Sequence, residues 1–253
     1  MPLDLVTIPC RTDNYAYLLH DTATGQTALI DAPEEGPIRA ALDARGWRLT
    51  DLLITHHHDD HISAVQALRG DARVIGAGAD AHRLPPLDLA VTGGETITVC
   101  GTAVTVIDAP GHTVGHIAFH VPAANAAFTA DSLMSWGCGR LFEGTAAQMW
   151  GTLCRLAALP PETLICSGHE YTASNGRFAL TIEGDNPALI ARMAEVTDAR
   201  AAGRATVPVT LATELATNPF LRAGLPAVKA AVGMPDAPDV EVFAEIRRRK
   251  DRF

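Results

Sequence analysis

Over the first two thirds of the chain, short runs of β-branched and apolar residues alternate with polar turns. Segments 15–19, 28–31, 52–54, 73–75, 97–99, 104–107, 117–120, 126–128 and 164–166 have the length and composition of strands. Between them, 37–45 reads as a helix, with Pro37 at its front and Gly46 past its end. A second helix is expected over 62–69, with Ala64, Val65 and Leu68 on one face. Beyond Thr172 the strand signature stops, and 175–181, 187–202, 210–216, 226–232 and 240–249 read as helices separated by Gly or Pro turns. The pattern predicts a mixed α/β domain over residues 1–172 and a smaller helical domain over 173–253.

Candidate chemistry is concentrated after the 52–54 strand, in Thr55-His56-His57-His58-Asp59-Asp60-His61, which holds four of the ten histidines. Imidazoles and carboxylates crowded at a strand mouth are costly to desolvate, and a bound cation is the usual compensation. In an extended chain residues two apart share a side, so His56 and His58 converge while His57 points away. The chain then turns and aims Asp60 and His61 elsewhere, and two ligand pairs imply two adjacent ions. Gly111-His112-Thr113, Ala130-Asp131-Ser132 and Gly168-His169-Glu170 each follow a predicted strand and can complete the shells. His116 is expected to pack behind a ligand. His20, His82 and His120 are read as core or structural groups, and Asp31, Asp59 and Asp108 as structural or solvent-facing. Gly76-Ala77-Gly78 is too short to signal a nucleotide loop.

His56-x-His58-x-Asp60-His61 followed by His112, Asp131 and His169 resembles the metallo-β-lactamase superfamily in order and spacing. Within it the chain is most similar to glyoxalase II, the hydroxyacylglutathione hydrolases. The likeness includes Asp13-Asn14-Tyr15, Gly137-Cys138-Gly139-Arg140, Gly168-His169-Glu170-Tyr171, Thr217-Asn218-Pro219-Phe220 and Arg247-Arg248-Arg249-Lys250-Asp251. The resemblance implies an α+β fold: a four-layer αββα metallo-β-lactamase sandwich with its metal site at one edge, followed by a small C-terminal helical domain. It implies two divalent ions, zinc by default with iron or manganese accepted by the same donors. His56, His58 and His112 would hold one ion, Asp60, His61 and His169 the other, and Asp131 would bridge them. Asp60 and Asp131 are then the carboxylates expected to act in catalysis. Arg140, Phe142, Tyr171, Arg247 and Lys250 match the family's glutathione contacts. Arg247 and Lys250, three apart on one helix, are expected to reach one substrate carboxylate. Two departures stand out: Ile62-Ser63-Ala64 where relatives commonly show a glycine pair, and Phe142 where they often carry tyrosine.

The activity implied is hydrolysis of S-(2-hydroxyacyl)glutathione thioesters, with S-D-lactoylglutathione, an intermediate of methylglyoxal detoxification, as the expected substrate. Hydroxide generated at the ions would attack the thioester carbonyl and expel a thiolate. Three rivals share parts of the pattern: a mononuclear iron persulfide dioxygenase, a phosphodiesterase or nuclease of the same superfamily, and a non-catalytic metal-binding module. The helical, basic C-terminus argues against the first. An acidic balance argues against the second. A seven-ligand set argues against the closed four-coordinate shell of the third.

Composition changes this picture little. With 253 residues and 47% apolar content the chain can bury a full core. Five cysteines without a Cys-x-x-Cys pair are expected to be reduced thiols. A formal net charge of −9 speaks against general nucleic-acid binding. No export leader and no apolar run of membrane length are seen, so a cytoplasmic monomer acting on a small molecule, with no membrane partner, is expected.

Overall fold

The computed structural model describes residues 3–253, which form two compact units. The first comprises the chain up to Ala109 together with Gly115–Ala130. Its larger sheet runs in sequence order: β1 (Leu3–Cys10), β2 (Asn14–Asp21), β3 (Thr27–Ile30), β4 (Asp51–Leu53), β5 (Arg73–Ala77) and β6 (Leu89–Val91). β1 to β3 are antiparallel, while β3 to β6 pair in parallel, with Leu29 beside Leu52 and Leu52 beside Val74. Every residue of β2, β3 and β4 is buried. That burial explains why they read as continuous apolar runs rather than alternating ones. Leu18, Leu29, Leu52 and Val74 pack against Ile38 and Leu42 of α1 (Glu35–Asp43) and against Val65 and Leu68. Gly46, at φ 66°, ends the α1 turn as expected. β1 went unread because Asp4 and Pro9 break its apolar pattern; as an edge strand it tolerates a proline. β6 is three residues long and was equally silent.

The expected 62–69 helix is instead two single turns, α2 (Asp59–Ile62) and α3 (Val65–Leu68). The cause is a competing backbone pairing. The Ala32 amide takes the His61 carbonyl at 2.7 Å, and the Ala64 amide donates to the Ala32 carbonyl at 3.0 Å, so groups that would continue one helix are spent on the loop after β3. A meander of β7 (Thr96–Val99), β8 (Thr102–Asp108), β9 (Ile117–Val121) and β10 (Ala126–Ala130) completes this unit.

The second unit comprises Pro110–Val114 and Asp131–Phe253. It opens with a tight hairpin, β11 (Leu133–Met134) and β12 (Gly137–Cys138), followed by α4 (Ala146–Ala157). β13 (Leu164–Ser167) pairs antiparallel with β14 (Val209–Thr210), a two-residue strand too short to register in a region read as wholly helical. The helices are α5 (Thr172–Ile182), α6 (Pro187–Ala201), α7 (Leu211–Thr217), α8 (Pro226–Ala231) and α9 (Asp239–Arg252). Asn186 caps α6 by accepting from the Ala188 and Leu189 amides, with Pro187 in the first turn. On α9 the buried face is Val242, Phe243, Ile246 and Arg247. Among the described residues no helix is long and apolar enough to cross a membrane.

Candidate metal centre

Thr55 is the point where the chain leaves the larger sheet, and it is tied down there. Its amide and hydroxyl donate to Asp31 at 2.9 and 2.8 Å, and its carbonyl accepts from the Ile117 amide at 2.9 Å. The backbone stays extended through His58 (φ −62°, ψ 141°), which turns His56 and His58 to one side. His56 Nε2 and His58 Nδ1 lie 3.1 Å apart. His57 diverges toward Asp80, 3.2 Å away. His116 stacks on the buried His56 ring at 4.8 Å and 19°, the packing contact expected of it.

The α2 turn then presents Asp60 and His61. His61 Nδ1 lies 2.8 Å from Asp31 Oδ2. An ionised carboxylate only accepts, so Nδ1 carries the proton and Nε2 the lone pair. That Nε2 lies 3.8 Å from Asp60 Oδ2. Asn14 holds Asp60 by donating to its Oδ2 at 3.0 Å and to its carbonyl at 3.1 Å. Sequence reasoning left Asp31 as a structural or solvent-facing residue and gave Asn14 no task. Asp31 is buried and serves both Thr55 and His61. Asp59 is exposed and pairs with Arg11 at 2.8 Å.

In the second unit, His112 Nδ1 donates to the Arg140 carbonyl at 2.8 Å. Its Nε2 therefore faces Asp131 Oδ2, 3.3 Å away, and His169 Nε2 lies 3.4 Å from the same oxygen. Two glycines permit this crowding. A Cβ on Gly111 would come within 2.7 Å of Met149 Cβ, and one on Gly139 would overlap the Asp131 carbonyl and sit 2.9 Å from His112 Nδ1.

These groups suit a divalent cation. With Nδ1 of His61 and of His112 protonated toward fixed acceptors, the opposite nitrogens turn lone pairs toward carboxylate oxygens, an arrangement a cation relieves. Nitrogen and oxygen donors without a thiolate fit zinc, iron or manganese. Cys138 Sγ lies 3.9 Å from Arg247 Nη1, and burial pushes its thiol up to about 11.

The five residues matched to glutathione contacts all lie in the second unit. Tyr171 stacks on His169 at 4.7 Å and 6°, and Phe142 meets His112 edge-on at 5.3 Å. Both rings are exposed. The Arg140 guanidinium lies 5.8 Å from the Phe142 ring, and its Nε is 3.7 Å from Asp251 Oδ1. Lys250 is half-buried, with its ammonium 3.5 Å from the Ser174 carbonyl and against the rings of Phe178 and Phe253. Burial first, then the charges of Arg247 and Arg177, lower its pKa to about 8. Arg247 differs from expectation: it is buried and engaged by Cys138 and Asp251.

Comparison with known proteins divides the chain after residue 169. Residues 11–169 match the model of the metallo-β-lactamase superfamily, and 170–253 match that of the hydroxyacylglutathione hydrolase C-terminus. A hydroxyacylglutathione hydrolase of Cereibacter sphaeroides is 62% identical over 255 residues, covering 100% of both chains. Among solved structures, ETHE1 from Myxococcus xanthus aligns with a TM-score of 0.66 at 27% identity, over 99% of this chain and 98% of that one. TTHA1623 in a di-iron-bound form aligns with a TM-score of 0.54 at 29% identity, over 66% of this chain and 91% of that one.

Proposed function

Since the chain belongs to the hydroxyacylglutathione hydrolases of the metallo-β-lactamase superfamily, we propose how its residues divide the work of that reaction. It is a hydrolase of glutathione thioesters, and it binds divalent metal. We assign His56, His58 and His112 to one ion and Asp60, His61 and His169 to a second, with Asp131 between them. The observation that carries the two-ion reading is the single Asp131 oxygen placed 3.3 and 3.4 Å from two imidazole nitrogens. Zinc is the metal we expect at both positions, and the di-iron form of the relative TTHA1623 keeps iron as the second choice.

Bound divalent cations supply an acidified water near neutral pH and positive charge for the developing oxyanion. The side chains do the remainder. Asp31 and the Arg140 carbonyl keep His61 and His112 in the tautomers that leave a lone pair inward. Asn14 holds the Asp60 carboxylate in place. Tyr171 and Phe142, packed on His169 and His112, form apolar walls that limit water around the thioester. Arg140 and Lys250 receive the glutathione carboxylates, so recognition draws on both 1–172 and 173–253 while 1–172 holds the chemistry. Glutathione leaves as a thiolate of pKa about 8.5, which needs no strong general acid. Phe142, in place of a tyrosine, withholds one hydroxyl from the substrate; a missing hydrogen bond to a charged group weakens binding by about 1.5–3 kcal/mol, less where water substitutes.

Five free thiols fit a reducing compartment, and we assign the protein to the cytoplasm as a monomer acting on S-D-lactoylglutathione. The test is thiol release from that substrate, with total metal measured on the same sample. Turnover with about two transition-metal ions per chain is expected. A single saturating iron with oxygen consumption on glutathione persulfide would replace this reading with a dioxygenase.

A further inference from the structure

The basic run at the end of α9 does not act as one patch. Arg248 and Arg249 pair with Glu245 along the helix at 2.7 and 2.9 Å. Lys250 lies among Ser174, Phe178 and Phe253. Arg247 is only 6% exposed, with its guanidinium 5.3 Å from the Phe220 ring. Its Nη1 donates to the Cys138 carbonyl at 2.9 Å, while its Nε and Nη2 reach Asp251 Oδ1 at 3.1 and 2.8 Å. A guanidinium offers its donors in a fixed planar fork. With all three nitrogens engaged by Cys138 and Asp251, little of that fork is left for a carboxylate arriving from solvent.

Cys138 begins a three-residue link. The Gly139 amide donates to the Ser132 carbonyl at 3.2 Å, and its α-carbon fits against the Asp131 carbonyl and the His112 ring, where no side chain has room. The Arg140 carbonyl accepts from His112 Nδ1 at 2.8 Å. One end of the 138–140 segment is therefore held by Arg247, and the other fixes the ring orientation of His112.

We propose that Arg247 is a positioning residue for His112: by holding the Cys138 carbonyl it sets segment 138–140, and through the Arg140 carbonyl it aims the His112 nitrogen. This rests on the assignment of His112 as a metal ligand. Acceptors behind a ligating histidine govern metal affinity by about 10–100-fold, so the influence of Arg247 reaches metal retention.

The test compares Arg247→Met, whose unbranched stem keeps the packing over Phe220, with Arg247→Lys and Lys250→Met. Zinc affinity is measured by competition with a chromophoric chelator. Values of kcat and KM are measured on S-D-lactoylglutathione and on a small uncharged thioester. Arg247→Met should weaken zinc binding about tenfold or more and lower kcat on both thioesters. Arg247→Lys should recover part of each loss, because an ammonium can still donate to the Cys138 carbonyl. Lys250→Met should raise KM for the glutathione thioester and leave zinc affinity at the parent value. Parent zinc affinity and parent small-thioester rates in Arg247→Met would overturn the proposal and leave Arg247 as a substrate contact. If Arg247→Met does not fold, Arg247→Lys against Lys250→Arg decides: weaker zinc in the first alone supports positioning, and equal zinc in both overturns it. A parent protein without thioesterase activity would remove the hydrolase reading but not the zinc comparison.

Discussion

Asp31 and Asp60 flank the same imidazole from opposite sides with different duties. Asp31, buried, fixes the His61 tautomer from behind. Asp31→Asn should therefore lower metal affinity by about 10–100-fold, measured by chelator competition. Asp60 faces His61 Nε2, and Asp60→Asn should reduce kcat more than it changes KM. The neighbouring Asp59→Asn, at an exposed ion pair with Arg11, should alter neither constant beyond about twofold. Lys250 adds a pH dependence. Its pKa is held near 8, so it is charged below that pH and neutral above it. KM for an anionic thioester should be flat below pH 7 and rise by up to about tenfold toward pH 9, and Lys250→Arg should remove the rise. The same shift bears on stability with a definite sign. The unfolded lysine binds its proton up to about 10.5, so Lys250 disfavours the folded state below pH 8, and that penalty fades as pH rises from 8 to 10.5. The candidate ligand residues stood out in the sequence because imidazoles and carboxylates rarely crowd together without a cation. Asp31 and Asn14 were not, since each is a single common polar residue whose task depends on a partner dozens of positions away.

At the scale of elements, the parallel strands β3, β4 and β5 were legible because burial leaves apolar runs, while β6, three residues long and partly exposed, was not. The 62–69 helix was misread because periodicity cannot foresee that Ala32 would intercept its backbone. α4 was missed although its signal was present. Thr145 accepts from the Gln148 amide and Gln148 returns the bond, a capping box readable as Thr-x-x-Gln. Thr145→Ala should cost about 1 kcal/mol in denaturant unfolding. α4 packs on α9, where Phe243 is fully buried with ring centroids 5.9 Å from both Trp150 and Phe220. Phe243→Ala should cost about 3–5 kcal/mol. Because α9 also carries Lys250, the same substitution should raise KM for glutathione thioesters. An unchanged KM in the destabilised variant would separate the packing of α9 from its recognition role.

Across the whole molecule, an acidic chain that hydrolyses activated acyl groups carries five thiols of its own. Cys138 lies next to the Arg140 and Arg247 segment, yet its thiol is pushed up to about 11, and Cys10 and Cys100 to about 12. At neutral pH a thiol of that pKa is ionised in only about one molecule in ten thousand, and the thiolate is the nucleophile. Iodoacetamide at pH 7.5 should accordingly modify exposed Cys154 before any of the four buried cysteines. The burial that suppresses alkylation also guards against self-acylation. A reactive cysteine beside a thioester would capture the acyl group by transthioesterification, release glutathione as the thiol, and stall as an acylated protein. Keeping that sulfur protonated leaves water as the acceptor able to compete for the acyl carbon.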